Sequence, residues 1–388
     1  MRGVAVTGLG IVSALGSGVA AHRDAMREGR TGLRPLTLFS PEDLGRLPVG
    51  EVDAGLVSRS RGPRCVRLAL RAARQALGGR SFEDPGLLAL GTTTGGILES
   101  ERHFLKHRGG VGADDRALLL HHPVGTLTGA LGRALGLSAE EYTFSTACSS
   151  SANAIGFGAA AVARRGGWAL VGGVDSLSRL TYAGFHALKL LASAPCRPFD
   201  RHRRGLSLGE GAAFLLLESE AEARRRGAPV LGFIDGWGCA SDAHHPTAPH
   251  PRGDGAVAAI QGALADAGLS PTQVDYVNAH GTATPANDVA EGLALERVFG
   301  GNCPLTSSTK GLTGHTLGAA GAIEAVLSLI ALSSGFVPAT TGLEEADPAI
   351  PIRHVPPGGL TRPLSVVVSN SFGFGGNNTA LVLSRAVA

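Results

Sequence analysis

Short apolar runs alternate along this chain with longer segments of helical periodicity, and this alternation gives the first structural information. Strands are predicted at 4–7, 87–90, 142–145, 169–171, 212–218, 230–235, 274–278, 365–369 and 380–384. Helices are predicted at 66–77, 150–164, 256–267, 285–298 and 319–332. Strands that alternate with helices are typical of an α/β protein with a largely parallel sheet covered on both faces.

A charged stretch at 218–227 interrupts this pattern, and a new apolar strand follows it. We therefore divide the chain into two related halves, residues 1–226 and 227–388, each built from strands, Gly-rich turns and helices. The first half carries a candidate nucleophile. The second half carries two candidate histidines and a Gly-Phe-Gly-Gly segment.

Composition indicates a large buried core and argues against some classes of protein. Of the 388 residues, 44% are apolar and only 17% are charged, while 57 are glycines, which favours helices packed closely on sheets. A formal net charge of +3 is small for this length and argues against a nucleic-acid-coating protein. The sequence contains no uninterrupted apolar run of about 18 residues, so we expect no membrane partner either.

The cysteines are odd in number, widely scattered and include no CxxC pair; they are Cys65, Cys148, Cys196, Cys239 and Cys303. This arrangement suggests neither a disulfide framework nor a zinc site, and we expect no metal. A reducing cytoplasm is the simplest location for such a chain.

The segment Thr146-Ala147-Cys148-Ser149-Ser150 lies between a predicted strand and a helix of small residues. The free N–H groups and dipole of a helix N-terminus favour an anion, so we expect the pKa of the Cys148 thiol to be lowered. The same N–H groups can bind an oxyanion once a thioester is attacked. The alternative is a small buried core cysteine, which the flanking serines and the histidine segments make less favourable.

Two histidines lie in similar turns. His280 lies in Asn278-Ala279-His280-Gly281-Thr282, just before a helix that Pro285 opens. His315 follows Lys310, and Glu324 lies on the next helix, where its carboxylate can pair with the Lys310 ammonium and help to tune imidazole protonation. Most histidines are hydrogen-bonded core or surface residues, and we assign to that class His202, His244, His245 and His250.

These three segments, followed by residues 369–376 with the sequence SNSFGFGG, resemble the β-ketoacyl-acyl-carrier-protein synthases of the elongating type, in the thiolase superfamily. The resemblance begins at residue 4 and covers essentially the whole chain. It implies a five-layered α-β-α-β-α sandwich of two related halves, usually as a homodimer.

The resemblance also implies roles for individual residues. Cys148 would be the acylated nucleophile, His280 and His315 would hold the malonyl thioester carbonyl, and Lys310 and Glu324 would form a supporting charged pair. Phe374 would gate the thiol, and its N–H would complete an oxyanion hole with that of Cys148. The substrate pocket would include Thr94, Thr282, Thr284, Phe372 and Gly375.

The implied reaction is a decarboxylative Claisen condensation of an acyl chain on Cys148 with malonyl-acyl carrier protein, which gives β-ketoacyl-acyl carrier protein. The protein itself needs no cofactor, because phosphopantetheine belongs to the carrier. The implied pathway is fatty-acid synthesis or specialised type II polyketide synthesis. Thr94, Arg204 and Leu206 depart from residues common in the fatty-acid enzymes, and these departures favour a specialised acyl or polyketide chain, with polyenes among the candidates. A heterodimer with a chain-length-factor-like subunit is then the alternative to a homodimer.

A basic run leads into the first long helix, and carrier proteins are acidic. We therefore expect Arg59, Arg61 and Arg64 to dock the carrier electrostatically. The alternative is a solvated helix face.

Three other functions remain as alternatives. A biosynthetic thiolase needs a second cysteine near the C-terminus, but no cysteine follows Cys303. A non-catalytic or chain-length-setting partner subunit is opposed by the presence of Cys148 with both histidines. A dinucleotide-binding oxidoreductase is weaker still, because the segment 8–13 lacks the third glycine of that fingerprint.

Overall fold

The computed structural model describes residues 3–57, 62–108 and 116–386. Its strands are β1 (Val4–Ser13), β2 (Gly16–Ser17), β3 (Arg34–Pro35), β4 (Pro48–Val49), β5 (Gly86–Gly91), β6 (Ala139–Phe144), β7 (Trp168–Asp175), β8 (Gly211–Ser219), β9 (Gly232–Ser241), β10 (Tyr276–Asn278), β11 (Leu305–Ser307), β12 (Phe336–Val337), β13 (Arg353–His354), β14 (Leu360–Thr361), β15 (Val366–Gly373) and β16 (Asn377–Ser384). Its helices are α1 (Val19–Glu28), α2 (Arg64–Leu77), α3 (Ile97–Arg108), α4 (Thr126–Leu135), α5 (Ser150–Arg165), α6 (Arg179–Ala187), α7 (Glu220–Arg225), α8 (Asp254–Ala267), α9 (Pro285–Phe299), α10 (Lys310–Thr313) and α11 (Ala320–Ser334).

Within the described ranges, the main sheet has 12 strands and runs in the order β13-β11-β10-β15-β16-β9-β1-β8-β7-β5-β6, with β2 paired to β1. Its outer parts are parallel, but from β15 through β16, β9, β1 and β8 to β7 every neighbouring pair is antiparallel. The expectation of a largely parallel sheet was therefore wrong. A turn of only three residues joins β15 to β16, and so short a connection permits antiparallel pairing but no crossover.

Three of the five hydrophobic clusters in the described chain define five layers. The central core joins α5 and α11 to strands of both halves, represented by Ile155, Ile330, Val171 and Leu381. A second core packs α2 and α4 on the outer face of the first-half strands. A third packs α8 and α9 on the outer face of the second-half strands. The predicted α-β-α-β-α sandwich is confirmed.

Helix α11 lies at the centre of this sandwich. The segment Leu317–Ser334 has a mean hydropathy of 1.7 and is, among the described residues, long and apolar enough to cross a membrane by length and composition alone. However, 89% of it is buried inside the protein. A helix that packs on both sides is expected to be apolar all round.

The predicted helices agree with α2, α5, α8, α9 and α11 to within two residues at each end. Helices α1, α3, α4, α6, α7 and α10 were not among the predicted helices. In α4, Gly129 and Gly132 lower helix propensity, and packing of Leu127 and Leu131 into the second core stabilises the helix instead. The boundary proposed after residue 226 falls in the short connection between α7 and β9.

Candidate active site

Cys148 lies in a tight turn between the end of β6 and the start of α5. Ala147, just before it, has φ 52°, a left-handed conformation that is unfavourable for a side chain with a Cβ atom. The Ser150 hydroxyl donates to the Ala147 carbonyl at 2.6 Å and accepts from the Thr146 N–H at 2.9 Å. These bonds hold the turn in a shape that the sequence alone does not favour.

Small residues allow α5 and α11 to meet at their N-terminal ends. A Cβ atom at Gly321 would lie 2.7 Å from the Cβ atom of Ala152, so only glycine fits this contact. The Ala322 N–H donates to the Ser151 hydroxyl at 2.9 Å. This close approach brings the turn of Cys148 next to the turn that carries His315.

The Cys148 sulfur lies at the base of a cavity of about 410 Å³ and is in contact with His315. The distance from His315 Nε2 to Cys148 Sγ is 3.0 Å. A hydrogen bond from the Phe374 N–H lowers the pKa of the Cys148 thiol. Gly373 must be small, since a Cβ atom there would lie 3.0 Å from the Cys148 nitrogen.

His280 stands across from His315, with ring centroids 5.3 Å apart and planes at 85°. Glu291 on α9 holds its loop by accepting from the N–H groups of His280 at 2.8 Å and Gly281 at 2.7 Å. Asn370 donates to the same carboxylate at 3.1 Å. Sequence reasoning missed Glu291, whose only signal is an acid on the second turn of the helix after His280.

The predicted pair of Lys310 and Glu324 is present, and both side chains are buried. The Lys310 ammonium also donates to the His280 carbonyl at 2.6 Å and lies 3.3 Å from His280 Nδ1. The donor atoms of Cys148, His280 and His315 lie within 4.8 Å of one another, a spacing that suits a metal ion. The neighbouring ammonium disfavours a divalent cation there.

Both imidazoles are neutral near pH 7. Burial lowers the pKa of His280 and of His315 well below the ordinary value, and the Lys310 charge lowers both further. Burial also raises the pKa of Glu324 to about 7, against the opposing effect of Lys310.

The pKa of Cys148 differs from the expectation. Burial raises it to about 12, although the Lys310 charge and the Phe374 N–H act in the opposite direction. A helix N-terminus contributes about 0.3–1 kcal/mol, which is less than one pKa unit, whereas full burial can shift a pKa by about 3–5 units. The thiol is therefore protonated at rest, and His315 is positioned to receive its proton.

This raised pKa predicts the pH dependence of thiol alkylation. Because the thiolate fraction grows up to a pKa of about 12, the rate of Cys148 modification by iodoacetamide should still rise between pH 8 and about pH 10. Replacing Lys310 by methionine should slow the reaction, because the ammonium lowers the thiol pKa. Peptide mass spectrometry measures the rate, with exposed Cys239 in the same digest as the internal reference. A plateau at pH 8 would contradict the prediction.

The predicted pocket residues divide into two groups. Thr282, Thr284 and Phe372 line the cavity of Cys148, as does Phe374, but Thr94 and Gly375 do not. The Thr94 hydroxyl instead donates to Asp175 at 2.9 Å. The Gly375 N–H donates to the Pro246 carbonyl at 2.8 Å.

Other parts of the cavity wall were not predicted as pocket residues. Phe185 stacks on Phe374 with ring centroids 5.5 Å apart, and Leu206 lies beside them in the wall. Arg204 lines a separate cavity of about 580 Å³. Arg204 and Leu206 both depart from residues common in the fatty-acid enzymes, but only Leu206 lines the cavity of Cys148.

The docking role predicted for Arg64 is wrong. Its side chain is only 5% exposed and donates to Glu210 at 2.9 Å and to the Val52 carbonyl at 2.8 Å. Glu210 is fully buried, so this guanidinium points into the core and is inaccessible to a carrier protein. Arg59 and Arg61 lie outside the described residues. Among the described residues that line the cavity of Cys148, Lys189 is an exposed cation.

Comparison with known proteins identifies the family. The protein-family model "Beta-ketoacyl synthase, N-terminal domain" matches residues 1–223. The family model "Beta-ketoacyl synthase, C-terminal domain" matches residues 231–344. The chain is 34% identical over 424 residues to 3-oxoacyl-[acyl-carrier-protein] synthase 2 of Coxiella burnetii, covering 99% of both chains. It is 37% identical to a putative polyketide beta-ketoacyl synthase 1 of Streptomyces cyaneus, covering 99% of this chain and 98% of the relative.

The fold agrees with this assignment. The structure of the ishigamide ketosynthase/chain length factor superposes with a TM-score of 0.93 at 33% identity, covering 99% of both chains. The chain therefore belongs to the β-ketoacyl synthase family, has its thiolase-like fold and acts as a β-ketoacyl-acyl-carrier-protein synthase.

Proposed function

We propose that condensation proceeds in two half-reactions at Cys148, with His315 as the base for the first. The thiol attacks the thioester of an acyl carrier protein, so that a sulfur–carbon bond forms to Cys148 and the carrier's carbon–sulfur bond breaks. The proton passes from Cys148 Sγ to His315 Nε2, 3.0 Å away, and then to the departing carrier thiol. The N–H groups of Phe374 and Cys148 bind the oxyanion.

In the second half-reaction the malonyl thioester loses CO₂ and its enolate attacks the acyl-cysteine. The Lys310 ammonium has only donors, so His280 Nδ1 is an acceptor and the ring proton lies on Nε2. His280 can therefore donate to the enolate oxygen without itself being charged. Formation of the new carbon–carbon bond breaks the sulfur–carbon bond and releases Cys148 as a thiolate, which takes up a proton from solvent.

The observation that carries this proposal is the Cys148–His315 contact at the base of a cavity, opposite a neutral His280 held by Lys310. A non-catalytic partner subunit has no need for a thiol and two imidazoles in this arrangement. We propose that the carrier protein inserts its phosphopantetheine along Thr282 and Thr284, so that the enzyme needs no cofactor of its own.

The candidate partner surface is one edge of the main sheet. Among the described strands, β6 and β13 end the sheet, each with a neighbour on one side only, and Tyr142 on β6 is 37% exposed. Tyr142 and Phe144 both pack on Phe157 of α5, so the edge is continuous with the helix that follows Cys148. We propose that a second subunit pairs here, in a heterodimer with a chain-length-factor-like protein or in a homodimer. The similarity to the ishigamide ketosynthase/chain length factor favours the heterodimer.

We propose a specialised type II polyketide as the product and the cytoplasm as the location. The similarities to a polyketide synthase and to the ishigamide ketosynthase support the first proposal. Five free cysteines in the described chain, without a disulfide among them, support the second.

Reconstitution tests the function. The purified chain, alone and with a chain-length-factor-like subunit, is incubated with malonyl-carrier protein and a panel of saturated and polyene acyl-carrier proteins. We expect a β-ketoacyl-carrier product two carbons longer by mass spectrometry, with polyene starters preferred. No product from any starter, with or without the partner, refutes the condensation. Equal rates for saturated and polyene starters refute the specialised substrate.

A further inference from the structure

Asp175, the last residue of β7, is fully buried and has no part in the chemistry proposed above. Its carboxylate accepts from the Thr93 N–H at 2.9 Å, the Thr94 N–H at 2.9 Å and the Gly318 N–H at 2.7 Å. It also accepts from the hydroxyls of Thr92 at 2.7 Å and Thr94 at 2.9 Å. A carboxylate has enough acceptor sites for this set of donors, and no other side chain as small as that of aspartate has as many.

These partners connect Asp175 to the two turns that carry the reacting groups, one directly and one through the threonine loop at 92–94. Gly318 lies three residues after His315 and follows Leu317, whose φ is 54°. On the other side, the Thr93 hydroxyl donates to the Ala147 carbonyl at 3.2 Å, one residue before Cys148. The turn after His315 packs directly on the threonine loop, because a Cβ atom at Gly318 would lie 2.7 Å from the Thr93 nitrogen.

We propose that Asp175 is a positioning residue that, together with Thr93, sets the distance between Cys148 Sγ and His315 Nε2. One carboxylate fixes the turn after His315 against the threonine loop, and that loop fixes the turn before Cys148. The inference rests on the acyl-transfer role proposed for these two residues. It also explains the run of three threonines at 92–94, none of which lines the cavity of Cys148.

Replacing Asp175 by asparagine tests the first link. The amide NH₂ group faces N–H donors and is unable to accept from them, so one turn must move. Misplacement of about 1 Å lowers kcat by about 10- to 100-fold, while the KM for the acyl carrier should stay within about twofold because the cavity mouth is untouched. Glu51→Gln is the matched control, since Glu51 is also buried and accepts from the N–H groups of Thr37 at 2.7 Å and Leu38 at 2.9 Å, outside the site.

Replacing Thr93 by valine tests the second link with the Asp175 charge unchanged. It removes the hydroxyl bonded to Ala147, and Cys148 alkylation by iodoacetamide at fixed pH should slow by about threefold or more as base assistance from His315 weakens. This readout needs no carrier protein, so it decides the inference even if the condensation is refuted or Asp175→Asn fails to fold. An alkylation rate in Thr93→Val equal to that of the parent protein overturns the proposal. So does a kcat in folded Asp175→Asn equal to that of Glu51→Gln.

Discussion

Replacing Cys148 by alanine should lower the rate of condensation by at least about 10⁴-fold while malonyl-carrier decarboxylation continues. In the proposed mechanism the thiol carries the acyl chain, so its loss removes the first half-reaction entirely. Decarboxylation needs only a donor for the enolate oxygen, and His280 keeps its bonds to Glu291 and Lys310 when the sulfur is removed. Mass spectrometry of carrier-bound products measures β-ketoacyl and acetyl species in the same reaction.

Cys65 provides the matched control for this variant. It is a fully buried free cysteine in the second core, away from the cavity of Cys148. Cys65→Ala should therefore lose some stability, with a cost of about 1–2 kcal/mol for a small cavity, but keep its condensation rate per folded molecule. Condensation by Cys148→Ala at more than about one hundredth of the parent rate would contradict the nucleophile assignment.

Alanine variants of the two active-site histidines should slow different half-reactions. Only His315 contacts the sulfur, so His315→Ala should slow acylation of Cys148 by about 10²–10⁴-fold. His280→Ala should leave acylation within about tenfold but slow decarboxylation by about 10³-fold, because it removes one preorganised donor to the enolate. Intact-protein mass spectrometry follows acylation, and acetyl-carrier formation follows decarboxylation.

The control for these variants is another buried imidazole. His22 hydrogen-bonds to the Ser13 hydroxyl at 2.8 Å and to the Gly18 carbonyl at 2.9 Å, within the central core. His22→Ala should lower the free energy of unfolding without changing the ratio of the two partial reactions. Equal losses of acylation in His280→Ala and His315→Ala would show that the 3.0 Å contact does not assign the base.

The nucleophile and both histidines were predictable because each lies in a turn that a local pattern reveals. A strand ends before Cys148 and a small-residue helix begins after it, and the same order holds around His280. The pairing of Lys310 with Glu324 was also predictable, since the two lie 14 residues apart around one turn. Such signals depend on neighbours in the sequence.

What sequence reasoning missed depends on distant residues. Arg64 was placed on the surface because its partner, Glu210, is 146 positions away, and only the packing of α2 on β8 brings them together. The pKa of Cys148 was expected to fall because the helix end is local, whereas its burial comes from the opposing half of the sandwich. Neither Asp175 nor Glu291 lies in a recognisable sequence motif, because each carboxylate accepts hydrogen bonds from backbone N–H groups of other segments.

The high pKa of the Cys148 thiol also affects how readily the sulfur is oxidised or alkylated when no substrate is bound. Peroxides and electrophilic metabolites attack thiolates far faster than thiols, and a permanently ionised sulfur would be consumed by them. Here burial keeps the sulfur protonated until a thioester enters and His315 accepts the proton. Idle molecules should therefore resist oxidative inactivation without an antioxidant partner.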